Sequence, residues 1–155
     1  MIKHNHGHII SIASMSAYLP PAGLADYGAS KSGLIAFHDA LRLELKHRYE
    51  VPRFGSSLAV LSFTETPLFK GKTNQSSFLF PLMHMDTIGD AVVDTLYSGS
   101  SRTMYFPGIF RFFAGIRRAP EWWQNMIREQ SKSLKVDFRG RQNIDPKTGN
   151  LSSHN

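Results

Sequence analysis

Two side chains that could together handle a proton lie four residues apart, near the start of a segment with helical period. Tyr27 and Lys31 would share one face of a helix, one turn apart. An ammonium group beside a phenol favours the phenolate, so the tyrosine could serve as a general acid/base. Ser14 lies thirteen residues before Tyr27, at the end of a short apolar segment, where its hydroxyl could hold a carbonyl or alcohol oxygen. The three residues together are typical of a site that exchanges a proton with a substrate oxygen.

The segments around these residues alternate between short apolar stretches and stretches of helical period. Leu34, Phe37, Leu41 and Leu45 recur every three or four residues and predict one apolar stripe on a long helix. In chain order, the sequence predicts strand 8–13, helix 25–49, strand 57–63, helix 87–96, strand 102–106 and helix 120–133. This alternation is typical of an α/β fold in which helices cover a parallel sheet. A sheet of these three strands would leave the first strand unpaired along one edge.

Two segments of the chain have no clear hydrophobic period. Residues 70–85 are expected to form a loop or lid. Beyond residue 135 the sequence is polar with few apolar anchors, so we expect a disordered tail over residues 136–155. Residues 1–135 are then expected to form a single folded unit.

The composition excludes several kinds of chemistry. The chain has no cysteine, which rules out disulfides, thiol catalysis and cysteine-ligated zinc. His4, His6 and His8 alternate into a predicted strand without a nearby carboxylate, so we assign no metal site to them. No apolar run approaches the roughly 18 residues of a membrane-spanning helix, and the N-terminus lacks the features of a signal peptide.

The positive charge is concentrated late in the chain. Lysine and arginine number 18 against 12 acidic residues, which gives a net charge of +6. Between residues 109 and 128, arginines such as Arg117 are interleaved with aromatic residues such as Phe112 and Trp122. This pattern is consistent either with a lid over a substrate pocket or with a surface in peripheral contact with a membrane. No nucleic-acid-binding module accompanies the charge, so no nucleic acid partner is predicted.

Two motifs, taken with their spacing, resemble the short-chain dehydrogenase/reductase family. The first reads GHIISIAS over residues 7–14, and the second reads DYGASKSGL over residues 26–34. The lead-in NHGH over residues 5–8 looks most similar to the branch that contains retinol and hydroxysteroid dehydrogenases. The resemblance implies a Rossmann-type, doubly wound parallel sheet. This chain would hold the C-terminal, catalytic half of that sheet and lack the N-terminal dinucleotide-binding half.

The resemblance also implies roles for individual residues. Hydride would pass between the nicotinamide of NAD or NADP and a small apolar alcohol or ketone of lipid, retinoid or steroid type. Tyr27 would exchange the hydroxyl proton, Ser14 would orient the substrate oxygen, and Lys31 would bind the nicotinamide ribose and favour the phenolate. Thr66 matches the family threonine that contacts the nicotinamide carboxamide. The Pro-Gly pair that usually precedes this threonine is replaced here by Leu61-Ser62.

The chain departs from the family in one further respect that bears on activity. The family's glycine-rich phosphate-binding turn is absent from the sequence, so we expect a truncated protein that binds dinucleotide poorly. An alternative is a non-catalytic remnant that acts as an interaction module, since the helix over 25–49 is commonly part of a dimer interface in the family. The expected location is the cytoplasm or the cytosolic face of an internal membrane.

Overall fold

A computed structural model describes residues 2–51, 53–64 and 82–129, together with the backbone of two short strands at 69–70 and 137–138. The strands are β1 (Gly7–Ser14), β2 (Phe54–Leu61), β3 (Phe69–Lys70), β4 (Thr103–Phe106) and β5 (Asp137–Phe138). The helices are α1 (Ala25–His47), α2 (Met85–Ser98), α3 (Phe110–Phe113) and α4 (Glu121–Glu129). Short 3-10 turns cover Ile2–His4, Met15–Ala17 and Ala114–Arg118.

The main sheet is parallel and has the strand order β1-β2-β4. Strand β2 lies in the centre, and its residues 55–60 are buried because helices and neighbouring strands cover it. Helix α1 connects β1 to β2, and α2 connects β2 to β4, as parallel pairing requires. The predicted α/β class is therefore confirmed, and the architecture is that of a partial Rossmann-type sheet.

One edge of β1 has no strand beside it in the described part of the chain. The backbone N–H groups of Leu58 and Ser62 donate to the carbonyls of Arg102 and Phe106, on the side of β2 that faces β4. Because successive residues of a strand direct their backbone groups to opposite sides, the residues at alternate positions of β2 direct their N–H groups to β1. Ala59 is one of these, and it is opposite Ile12 in the register. Ile12 must therefore direct its own N–H and C=O away from β2, and the same alternation applies to Ile10 and Ser14. The free edge expected for the first strand is thus present.

The core lies between the sheet and the helices that cover it. Its buried residues are Ala13, Met15, Leu58, Val60 and Phe110. Half-buried side chains pack around this cluster, namely Tyr18, Leu34, Ile35, Tyr105 and Phe113. Residues from the first strand and from α3 therefore share one core, although they are separated by about a hundred positions in the sequence.

The apolar stripe predicted for α1 is wrong at Phe37, whose side chain is 60% exposed. The buried face of the helix is instead defined by His38 and Leu45, which lie two turns apart. Phe37 is rotated about 100° from His38 around the helix axis and therefore lies outside the contact with the sheet. A polar residue takes the core position because the strands offer it hydrogen-bond partners.

His38 is a buried histidine that joins α1 to both β1 and β2. Its side chain is only 4% exposed. Nδ1 lies 2.9 Å from the hydroxyl of Ser11, and Nε2 lies 3.2 Å from the hydroxyl of Ser56. Burial lowers the pKa of His38 below its ordinary value of 6.5, the nearby Asp39 partly opposes this effect, and Arg42 adds to it. The ring is therefore held as a neutral hydrogen-bonding bridge.

The fold is expected to lose stability as the pH falls through the ordinary histidine range. The folded-state pKa values of His38 and His8 are both lowered by burial, so the unfolded chain takes up protons first. The stability that the neutral rings contribute is present above pH 6.5 and is lost as the pH falls below it. Urea unfolding between about pH 8 and pH 5 measures this change. His38→Gln should give a shallower pH dependence, and an unchanged slope in this variant would contradict the assignment.

The predicted lid and tail lie mostly outside the described residues. Within residues 82–84, Met83 forms an isolated bridge to Thr64 and donates its N–H to the carbonyl of Phe63 at 2.9 Å. The backbone of β3 pairs antiparallel with that of β5, so two residues of the predicted tail are paired in the structure. The proposed boundary at residue 135 and the disordered tail remain predictions.

The described residues include neither a membrane-spanning helix nor a cluster of metal ligands. No described helix is both long enough and apolar enough to cross a bilayer. Likewise, within these same ranges, no three histidine, aspartate or glutamate side chains gather as metal ligands would.

Candidate active site

Ser14 lies at the C-terminal end of β1, where open parallel sheets bind their ligands. The residue is half-buried and precedes the 3-10 turn Met15–Ala17, for which it acts as the N-cap. Its Oγ accepts a hydrogen bond of 3.3 Å from the backbone N–H of Ser16. Because the hydroxyl oxygen accepts this bond, its proton remains available to donate to a substrate oxygen.

Lys31 is placed against both Tyr27 and the strand that ends in Ser14. Its Nζ lies 5.7 Å from the centre of the Tyr27 ring and donates a 2.9 Å hydrogen bond to the carbonyl of Ile12. This carbonyl is one of the outward-directed groups at the free edge of β1. Burial lowers the pKa of Lys31 from its ordinary value. The structure therefore brings the predicted lysine, tyrosine and serine-bearing strand together at one end of the sheet.

The first turn of α1 is fixed by Asp26, whose Oδ1 accepts a 2.8 Å hydrogen bond from the backbone N–H of Tyr27. An acidic side chain in the first helical turn is also favourable toward the helix dipole. Lys31 follows one turn after Tyr27, so the helix sets the spacing of these two side chains.

The loop after Ser14 is anchored by contacts that the sequence analysis did not predict. The carbonyl of Ala17 accepts hydrogen bonds from Ser32 Oγ at 2.8 Å and from Arg117 Nη2 at 2.5 Å. Tyr18 packs against the core, and burial, followed by its hydrogen bond with Tyr105, raises its pKa well above the ordinary range. These contacts attach the serine loop to α1 and to the 3-10 turn near Arg117. No local pattern could reveal them, because Arg117 is one hundred residues from Ala17.

Thr66, the predicted contact to the nicotinamide, lies outside the described residues. The nearby Leu61-Ser62 pair, which replaces the family's Pro-Gly, is described. The N–H of Ser62 donates a 2.9 Å hydrogen bond to the carbonyl of Phe106, so the ladder between β2 and β4 continues through this position. The pairing of β2 with β4 therefore continues to the second residue of this pair.

Gly28 brings α1 into close contact with the serine loop. A Cβ added there would lie 2.9 Å from Cβ of Pro20 and 3.2 Å from the carbonyl oxygen of Ser16. Gly28→Ala should therefore destabilise the fold by about 1–3 kcal/mol through overpacking. Gly33→Ala, in the same helix with no atom within 4 Å, is the matched control and should stabilise the fold by about 0.5–1 kcal/mol through helix propensity. Thermal or urea unfolding of the two variants measures the difference, and equal effects would contradict the close packing at Gly28.

The geometry defines an α/β protein with a serine, a tyrosine and a lysine at the C-terminal end of a parallel sheet. The family model described as short chain dehydrogenase matches residues 1–66, which include all three. The match covers both motifs, so the resemblance predicted from them is confirmed over residues 1–66. This family generally uses NAD or NADP.

Several curated proteins are similar to part of this chain. Dehydrogenase RED3 of Cochliobolus heterostrophus is 49% identical over 49 residues, which are 32% of this chain and 25% of the relative. Dehydrogenase RED2 of the same organism is 40% identical over 58 residues, or 37% and 22% of the two chains. Retinol dehydrogenase 10 of Homo sapiens is 38% identical over 71 residues, or 46% and 20%. The matched region thus spans a quarter or less of each of these relatives.

Proposed function

We propose that this chain carries the catalytic part of an NAD(P)-dependent oxidoreductase that acts on an apolar alcohol or ketone. The observation that carries the proposal is the position of the Lys31 ammonium between the Tyr27 ring and the carbonyl of Ile12. A cation held at this point favours a tyrosine that gives up and takes back a proton. Ser14 ends the same strand two residues later, so its hydroxyl is available to the same substrate oxygen.

The donor set at this end of the sheet fits the nicotinamide ribose of the cofactor. Lys31 carries three N–H donors and uses one on Ile12, which leaves donors for ribose hydroxyls. The phosphate end has no equivalent, because the sequence contains no two glycines separated by one residue, as a G-x-G turn requires. The residues of this chain therefore suit one end of the dinucleotide only.

The proposed reaction assigns one task to each side chain. Ser14 Oγ donates to the oxygen of the substrate and fixes its position beside Tyr27. The Tyr27 hydroxyl donates its proton to that oxygen in reduction and recovers it in oxidation. Lys31 stabilises the phenolate and orients the ribose. A nicotinamide cofactor held by Lys31 through its ribose would supply or accept the hydride at the carbon that carries the oxygen.

An apolar substrate is supported by the exposed aromatic residues that follow β4. Phe112 is 76% exposed and Trp122 is 71% exposed, and the exposed cations Arg111 and Arg118 lie close to them in sequence. Such a surface suits either entry of a lipid-like substrate or contact with an anionic membrane. Of the three relatives reported above, one is called a retinol dehydrogenase, and this name also supports an apolar substrate. Cosedimentation with anionic vesicles tests the membrane contact.

Titration with reduced cofactors tests the proposed ribose site. Since this chain supplies donors only for the nicotinamide end, we expect NADH and reduced nicotinamide mononucleotide to bind weakly and within about tenfold of each other, or ~1.4 kcal/mol. Lys31→Ala should weaken both, whereas the exposed Lys3→Ala should leave both unchanged. Fluorescence titration of the folded chain measures the affinities. Equal binding by the Lys31 variant and the parent would contradict the proposed site.

The second candidate function is an interaction module without catalysis. It is favoured by Phe37, which is 60% exposed on α1 and could pack against a second copy. Sedimentation equilibrium of the parent chain and of a Phe37→Ser variant tests this dimer. A dimer that depends on this residue, with no turnover in any form of the protein, would favour the module over the enzyme.

A further inference from the structure

A cavity lies at the opposite end of the sheet from Ser14. Its volume is about 340 Å³, and it opens between the second half of α1 and the N-terminal ends of β2 and β4. Six of its lining residues are Arg42, Leu45, Lys46, Val51, Phe54 and Ser56. None of these belongs to the site described above. The cavity is therefore available for a ligand other than the substrate of the proposed oxidoreductase.

The mouth of the cavity carries two positive charges without a neutralising partner. Arg42 and Lys46 lie four residues apart on α1, so their side chains share one face of the helix. Within the described ranges, neither makes a hydrogen bond or an ion pair, and no carboxylate lines the cavity. Two like charges at this spacing destabilise a helix slightly. An anion bound between them would remove that repulsion and gain two charge-assisted hydrogen bonds.

The wall behind these charges is apolar and well fixed. Leu45 is 6% exposed and Val51 is 5% exposed, and the half-buried Phe54 begins β2 beside them. The half-buried Phe54 keeps apolar surface in the lining of the cavity, and a hydrocarbon group that covers this surface gains free energy. The ligand that suits both parts of the cavity is an anion with an apolar tail.

Two serines add polar groups to the lining. The backbone N–H of Ser56 donates to Ser101 Oγ at 3.0 Å, which leaves the Ser101 hydroxyl proton for a ligand. The Ser56 side chain is 5% exposed and is engaged with His38, so it fixes the buried lining without competing for the anion. The side-chain donors that the lining offers to a ligand are therefore Arg42, Lys46 and Ser101.

We infer that this cavity binds a medium-chain carboxylate, with its carboxylate group between Arg42 and Lys46 and its hydrocarbon tail against Leu45, Val51 and Phe54. The volume is near the lower end of the roughly 300–1,000 Å³ of small-molecule sites, which suits a short rather than a long acyl chain. Binding here is independent of the proposed oxidoreductase activity, since no lining residue contacts Ser14, Tyr27 or Lys31.

Titration of the folded chain with octanoate, octanol and acetate tests the inference by calorimetry. Octanoate should bind saturably, and octanol and acetate should each bind at least about tenfold more weakly, because one lacks the charge and the other lacks the tail. The double variant Arg42→Gln/Lys46→Gln should lose at least about tenfold in octanoate affinity, or ~1.4 kcal/mol. The double variant Lys3→Gln/Arg48→Gln removes the same charge at exposed residues that do not line the cavity and should bind octanoate as the parent does.

Three results would overturn the inference. They are the absence of saturable octanoate binding, equal affinity for octanol or acetate, and octanoate affinity that is unchanged in the Arg42/Lys46 variant. Val51→Ser provides an independent variant of the apolar wall and should weaken octanoate but not acetate. A circular dichroism melt of each variant confirms that it is folded before titration. Cofactor titration reports on the other end of the sheet, so either proposal can fail without the other.

Discussion

Tyr27→Phe is expected to lower turnover by about 10²- to 10⁴-fold, the usual contribution of a positioned general acid/base. The substitution removes only the hydroxyl, so the ring should keep its place beside the Lys31 ammonium. Cofactor binding should change little, because Lys31 keeps its hydrogen bond to the carbonyl of Ile12. The measurement is the rate of NAD(P)H formation with an apolar secondary alcohol, in the longest form of the protein that shows turnover.

Tyr97→Phe is the matched control for this prediction. Tyr97 lies on α2 and is 89% exposed, so loss of its hydroxyl should leave the rate unchanged. A Tyr27→Phe protein that is folded and as active as the parent would exclude Tyr27 as the acid/base. Loss of turnover in both variants would point to a general effect of tyrosine removal rather than to a role in catalysis.

Phe110→Ala should destabilise the fold by about 3–5 kcal/mol, the usual cost of removing a large buried aromatic side chain. Phe110 is 0% exposed and is a member of the core cluster that contains Val60 and Leu58. It also packs edge-to-face against Phe113, with 5.5 Å between ring centroids. Urea unfolding monitored by circular dichroism measures the loss.

Phe112→Ala is the control on the same short helix. Phe112 is 76% exposed, and its removal should change the free energy of unfolding by less than about 0.5 kcal/mol. A loss of about 3–5 kcal/mol is a large part of the roughly 5–15 kcal/mol free energy of unfolding of a typical domain. Phe110→Leu removes less of the side chain and therefore serves as a milder second variant. Similar losses at positions 110 and 112 would contradict the packing of α3.

The sequence was sufficient to predict the sheet and the placement of Tyr27 and Lys31 on one helical face because both depend on short-range patterns. Short apolar runs predict strands, and IISIA over 9–13 and SLAVL over 57–61 form β1 and β2, although Ile12 of β1 is 40% exposed. The Tyr27–Lys31 spacing fixes a common helical face wherever the helix packs. The boundaries were less accurate, since β2 begins at Phe54 rather than Ser57 and α1 ends at His47 rather than Tyr49.

What the sequence did not reveal depends on tertiary contacts. The preference of the core for His38 over Phe37 depends on hydroxyl groups that Ser11 and Ser56 supply from two different strands. Hydrophobic periodicity counts a histidine as polar, so it places the buried stripe at Phe37 instead of His38. The anchoring of the carbonyl of Ala17 by Arg117 likewise requires knowledge of which turn packs over the serine loop.

The outward-directed backbone of β1 bears on how the chain can be handled in solution. Within the described residues no strand pairs with its outward-directed N–H and C=O groups. Apart from the Ile12 carbonyl, which accepts from Lys31, these groups form a template for an incoming strand beside the 40% exposed side chain of Ile12. Two copies could therefore pair along this edge and begin aggregation, at a rate that rises with protein concentration. Light scattering of preparations at several concentrations would follow this process, and a lysine at Ile10 should suppress it by placing a charge at the pairing edge. Protein concentration, as well as pH, will then limit how long a preparation stays clear.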